Sequence, residues 1–124
     1  MIQVRIDYKA EDLLSEAQKA LEKVWFVQSV VTVERTDFTL SLRLTIGPDL
    51  FVQAFLGELT GALYFALIER GQRIFGIDRE SGRWHEHPYE APHRHTPLPE
   101  GLEPKPLLKF LSRLENFRLE ADFL

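Results

Sequence analysis

Between Phe38 and Ile46 the chain alternates without a break: Phe38, Leu40, Leu42, Leu44 and Ile46 take every second position, and Thr39, Ser41, Arg43 and Thr45 fill the gaps. Successive side chains of a β-strand point to opposite faces, so this period of two marks a strand with one face in a core. The segments after it decide the topology. Leu50 to Leu56, Ala62 to Ile68, Arg73 to Asp78 and Arg83 to His87 are further strand-like runs, separated by Gly47-Pro48-Asp49, Glu58-Leu59-Thr60-Gly61, Arg70-Gly71 and the hairpin loop Asp78 to Gly82. A parallel crossover needs a dozen or more residues, which none of these connections has, so the strands form an antiparallel meander. It has about four to six strands. Ala62 to Ile68 is apolar at nearly every position, as a central strand would be.

Two stretches carry the helical period instead. Leu13, Ala17, Leu21 and Val24, with Leu14 and Ala20 beside them, recur every three to four residues and predict a helix over Lys9 to Lys23. Leu107, Phe110, Leu111, Leu114 and Phe117 form a second stripe behind Pro106, a residue suited to a first helical turn, and predict a helix over Lys105 to Phe117. Ile2, Val4 and Ile6 alternate with polar residues, so a short strand or a frayed end precedes the first helix. Val24 to Glu34, rich in β-branched and aromatic residues, reads as a strand whose apolar content exceeds what one sheet side can hide. That excess predicts a two-fold homodimer or another partner on the face of Trp25, Val27, Val31 and Val33. The expected fold is α+β: an antiparallel meander packed with an amino-terminal and a carboxy-terminal helix in a single domain over residues 1–124. Leu42, Leu44, Ala66 and Ile68 would meet Leu14, Leu21, Leu111 and Leu114 in its core.

At 124 residues and 44% apolar composition one core can close. No run approaches the ~20 apolar residues that cross a bilayer, and the amino terminus lacks the basic-then-apolar layout of a signal peptide, which predicts a soluble, cytoplasmic protein. The absence of cysteine excludes disulfides and thiolate metal sites and leaves histidine and carboxylate for any metal. A net charge of −4 argues against a broad basic surface for nucleic acid.

All four histidines, His85, His87, His93 and His95, fall within eleven consecutive residues. If Arg83 to His87 is extended, His85 and His87 share one face and Trp84 and Glu86 the other. Three chemistries fit. Paired His-x-His motifs suit zinc, copper or nickel. Imidazoles titrate near neutrality, so a histidine can move a proton while Arg73, Arg83 or Arg94 holds a phosphate, which is enough for metal-free RNA cleavage. Or the imidazoles and Trp84 pin the segment from Pro88 to Pro106, where Pro92, Pro97, Pro99 and Pro104 forbid regular structure, by donating to carbonyls the segment cannot pair itself. From Glu69 to Arg94 five arginines balance five carboxylates, so this region is less acidic than the rest, which carries ten cations against fourteen anions.

The run Tyr64-Phe65-Ala66-Leu67-Ile68, then Arg73-Ile74-Phe75-Gly76-Ile77-Asp78, then Gly82-Arg83-Trp84-His85-Glu86-His87-Pro88 and Pro92-His93-Arg94-His95 resembles the TumE-like family of small prokaryotic toxin-antitoxin proteins. The similarity covers roughly Leu40 to Leu114. Its centre is the Arg-Ile-Phe-Gly hairpin followed by Trp-His-x-His-Pro. The resemblance implies a short cytoplasmic toxin of a type II pair, neutralised by a cognate antitoxin and directed at RNA or the translation machinery. The matching positions are Arg73, Asp78, Trp84, His85, His87 and His95. We take His85, His87, Arg73 and His95 as candidates for catalysis, and Trp84, Asp78 and Arg83 as candidates for a structural or partner role; no cofactor is expected. The alternatives are a non-catalytic interaction module and a small histidine-based metal-binding protein.

Overall fold

The computed structural model describes residues 8–116. In chain order these form α1 (Ala10–Lys23), β1 (Ser29–Arg35), β2 (Thr39–Gly47), β3 (Leu50–Gly57), β4 (Ala62–Glu69), β5 (Gln72–Glu80), β6 (Arg83–His87), β7 (Thr96–Pro97) and α2 (Pro106–Leu114). The strands make one antiparallel sheet in the order β1-β2-β3-β4-β5-β6-β7. This is the α+β meander expected from the short connections, with seven strands rather than four to six. The addition is β7, a two-residue bridge inside the proline-rich segment, where Thr96 pairs with Glu86 and Pro97 with His85. Prolines tolerate such an edge because nothing beyond it requires their missing N–H. Two hairpins turn on two residues of positive φ, Arg70-Gly71 (50° and 80°) and Ser81-Gly82 (51° and 75°). This conformation matches the twist of paired strands and suits glycine. The β5–β6 loop is thus Ser81-Gly82 alone, shorter than Asp78 to Gly82.

Cross-strand register sorts every side chain by face. Leu42, Ala54, Phe65 and Ile77 stand in one row and Leu44, Val52, Leu67 and Phe75 in the next, all buried on the side that carries the helices. Helix α2 lies over this face, with Phe110 ring centroids 5.4 Å from Phe65 and 5.6 Å from Phe75. Leu13, Ala17 and Ala20 of α1 complete the core with Leu107, Leu111 and Leu114. The other face, with Arg43, Phe51, Gln53, Phe55, Tyr64 and Ala66, carries neither of the described helices.

Several expectations need correction. Ala66 and Ile68 lie half-buried on the open face, because β4 is apolar on both sides and its pairing puts Leu63, Phe65 and Leu67 inward. Leu21 is exposed, and Leu14 only packs against the core margin. Val24 to Gln28 is a turn, not strand: Val24 ends α1 and Phe26 and Val27 fold under the sheet, so Val27 is buried and cannot belong to a partner face with Trp25, Val31 and Val33, which are exposed. The suggested strand at Ile2 to Ile6 and the end of helix two at Phe117 lie outside the described residues.

A carboxylate stands within the apolar stripe of α1. Glu16 is buried between the helices, where its Oε1 accepts from the Leu108 backbone N–H (3.1 Å) in the first turn of α2, and the Tyr8 hydroxyl donates to its Oε2. The orphan donors of one helix are thus capped by the other. Burial raises the Glu16 carboxyl above its ordinary range against these hydrogen bonds, and burial together with Glu16 pushes the Tyr8 hydroxyl far up.

Candidate functional site

Strands β5 and β6 place the histidines. Across that hairpin Asp78 pairs with His85 and Gly76 with His87, so Asp78, His85 and His87 emerge on the open face, while Arg79, Trp84 and Glu86 emerge on the helical face. His85 and His87 do share a face, as alternation requires.

His87 is nearly inaccessible, at 1% exposure. Its Nε2 donates to Asp78 Oδ2 (2.8 Å) and its Nδ1 to the Pro92 carbonyl (3.1 Å). A carbonyl can only accept, so the Pro92 contact puts a proton on Nδ1. Room for the ring comes from Gly76: a Cβ there would stand 3.1 Å from the Phe65 carbonyl oxygen and 3.6 Å from His87 Cδ2. Arg73 Nη2 donates to the same Pro92 carbonyl (3.2 Å), so two candidate residues converge on one loop oxygen.

Folding back at Pro92 brings His95 over the sheet. Its ring lies 4.3 Å from His87 and 5.9 Å from His85, edge-on to both. Three of the four histidines therefore form one cluster; His93 stands apart, exposed, beside Gln72 and Arg73. In the cluster, His95 is exposed and His85 half-buried, whereas both nitrogens of His87 are committed. Arg83, two residues from His85 on the same face, is exposed, as is Arg94. Among the described residues no three histidine, aspartate or glutamate side chains are grouped to hold a metal ion. The cluster can hold and exchange protons at His85 and His95, over a base fixed by Asp78 and His87.

The helical face anchors the same loop from behind. Trp84 Nε1 donates to Glu103 Oε1 (3.1 Å), Arg79 Nη1 reaches Glu103 Oε2 (3.4 Å), and Arg79 Nε donates to the Gly61 carbonyl (3.0 Å). Gly101, at φ 61°, packs so tightly on Trp84 that a Cβ would lie 2.6 Å from the indole Cδ1. Arg113 of α2 pairs with Glu86. Sequence spacing does not single out Arg79 and Glu103: most of the proline-rich segment lies between them, and no local spacing joins them. Asp78 was singled out, and register alone would have placed it beside the histidines.

A separate cavity of about 460 Å³ sits by the Gly47-Pro48 turn, lined by Trp25, Phe26, Ile46 and Leu50 with Asp49 and Arg70 at its rim. It contains no histidine; a smaller cavity of about 290 Å³ lies beside His85, lined by Arg83, Trp84, Pro97 and Leu98. Among the described residues no helix is long and apolar enough to cross a membrane. No family model matches the chain, and neither does any curated protein or solved structure.

Proposed function

We propose that this chain is the toxin of a type II toxin-antitoxin pair and acts on RNA by metal-independent proton transfer. The observation that carries the reading is the accessible imidazole pair, His85 and His95, 5.9 Å apart and backed by the fixed His87–Asp78 pair. In the reaction such a pair serves, one imidazole takes the proton of a ribose 2′-hydroxyl as its oxygen bonds to phosphorus. The bond from phosphorus to the 5′-oxygen breaks, and the other imidazole, protonated, gives that oxygen its proton. Arg83, exposed on the same face, is placed to balance the charge on the phosphate oxygens. His87 and Asp78 are positioning residues: they orient the strand and carry His95 through the Pro92 turn. Arg73 joins them, since its guanidinium is already engaged by Pro92.

Expression of the chain without its antitoxin tests this. His85→Ala or His95→Ala should cut RNA cleavage by about 10² to 10⁴ and relieve growth arrest, with chelators leaving both unaffected. Chelator sensitivity would move the histidines to a metal site. A folded wild-type protein that neither arrests growth nor cleaves RNA would end the toxin reading.

A second reading, a non-catalytic interaction module, is favoured by one observation. β1 is an edge strand on which Val31 and Val33 are 51% and 53% exposed. An antitoxin segment or the β1 of a second copy could extend the sheet there. Light scattering returning the 14.4 kDa monomer at high concentration would exclude the homodimer.

A further inference from the structure

We propose that the free edge of β1, together with the outer flank of α1, is the docking groove for an extended segment of another protein, one in which apolar residues alternate with lysine or arginine and which joins the sheet beside β1. The inference rests on the interaction-module reading above and commits it to one partner chemistry.

Among the described strands β1 pairs on one side only, so along its seven residues alternate backbone N–H and C=O groups point outward. Helix α1 lies above β1 and β2. It buries Leu13, Ala17 and Ala20 and turns Glu16 toward α2, so helical geometry puts Leu14 and Leu21 on the opposite flank, over the β1 edge. Beneath them Val30, on the helical face of β1, packs against the core from its margin. Leu21, Val31, Val33 and Phe38 are four of the seven large apolar side chains exposed among the described residues, so exposed apolar surface concentrates along this edge. A strand laid against β1 sets alternate side chains under α1, on Leu14, Leu21 and Val30, and the others on the open face beside Val31. A bulge at Val33, the extra residue between Thr32 and Glu34, limits regular pairing to residues 29–32. The bound segment is therefore short.

Charge selects the occupant. Helical geometry places Glu11 and Glu22 on the outer flank of α1, Glu34 stands on the open face of β1 opposite Ser41, and Asp37 lies in the turn after it, all exposed. Against them this edge has Arg35. Lys19 and Lys23 gather with Lys105 on the α2 flank, and Arg43, opposite Val31, leans away over the Phe51 ring at 4.0 Å. Four carboxylates against one guanidinium favour a cationic segment, whose long side-chain stems also cover Val31. They disfavour a second copy: antiparallel pairing of like with like would bring two acidic rims together and run into the other copy's bulge within a few residues.

The test is fluorescence anisotropy at low salt with a labelled peptide of about nine residues alternating valine with lysine, and with its counterpart alternating valine with glutamate. The lysine peptide should bind about tenfold tighter or more, and amide hydrogen exchange should show protection gained along β1. Glu22→Lys combined with Glu34→Lys, both at exposed positions, should reverse the preference at an unchanged melting temperature, which a misfolded variant could not do. A double variant that keeps the wild-type preference, or protection gained elsewhere in the sheet, refutes the groove. A glutamate peptide bound at β1 as tightly as the lysine peptide overturns the basic partner and keeps the interaction module, whereas a wild type that binds neither peptide ends both. If β1 amides are already protected without peptide, the edge is covered: sedimentation at twice the chain mass assigns it to a second copy and at the chain mass to the chain itself, and either result overturns the proposal. RNA cleavage by the same samples decides the toxin reading separately.

Discussion

Replacing Glu16 by alanine should cost far more than a surface change on a helix. The carboxylate sits at 6% exposure, accepts the Leu108 N–H of α2 and is the acceptor for the Tyr8 hydroxyl. Alanine leaves a helix-capping position empty, worth about 0.5 to 2 kcal/mol, and strands a part-buried hydroxyl and amide, worth about 1 to 3 kcal/mol for each group kept from water. These costs overlap, so we expect about 2 to 4 kcal/mol in all. With an unfolding entropy of about 2.1 cal/mol/K per residue, that lowers the melting temperature by roughly 8 to 15 °C. Glu16→Gln keeps an acceptor for the amide and brings a donor to Tyr8, and it separates charge from shape. Burial raises the Glu16 carboxyl above its ordinary value of 4.5, so the folded state holds this proton more tightly than the unfolded one. Its contribution is therefore full below 4.5 and is lost as pH rises through the folded-state value. Urea denaturation of both proteins across that range should show the wild type losing ground to Glu16→Gln as pH increases. An alanine variant melting within 2 °C of wild type, or a stability difference to glutamine that does not change with pH, would refute the capping account.

Two other perturbations test the sheet. Leu44→Ala, at a fully buried position between β1 and β3, should cost about 2 to 5 kcal/mol in urea denaturation. A curve that does not move would place Leu44 outside the core. Asp78→Ala should cost about 2 to 4 kcal/mol, because it leaves the buried His87 Nε2 without an acceptor; Asp78→Asn, whose amide oxygen still accepts, should recover at least half of the loss. Equal losses in the two variants would mean that the hydrogen bond carries little of the effect.

Which elements could be read from sequence follows from how one-sided they are. The segment Phe38 to Ile46 has one apolar face, and four of its five alternating residues from Leu40 onward are buried as read, with Phe38 left exposed just ahead of β2. β4 offered no such contrast: Ala62 to Ile68 is apolar throughout, so only pairing with β3 decides that Phe65 goes in and Ala66 out. In Val24 to Gln28 β-branched and aromatic residues imitate a strand while serving a turn that tucks Phe26 and Val27 under the core. The histidine cluster was visible as a compositional clump, and strand alternation correctly joined His85 to His87. The separation of His93 from His95 was not legible, because it depends on the Pro92 turn, whose direction is fixed by Arg73 and His87 from another part of the sheet. Glu16 did leave a trace, as an acidic residue one position off the Leu13-Ala17-Ala20 stripe of a helix otherwise apolar there.

The proline-rich strap has a consequence for assembly. From Pro92 on the open face it rounds the edge of β6 through Thr96-Pro97, where the Leu98 N–H donates to the Trp84 carbonyl (3.0 Å), and reaches Glu103 on the helical face. That edge is sealed by a two-residue strand ending in proline, a poor template for any further strand. Among the described strands only β1 presents a long edge, seven residues from Ser29 to Arg35. A head-to-tail stack, with β1 of one molecule added to the far edge of the next, has no template to grow on. A second copy pairing through β1 must then join like to like, and the two-fold axis that does so uses up both open edges at once. Among the described strands, sheet extension between copies would close at a pair instead of propagating into a fibre.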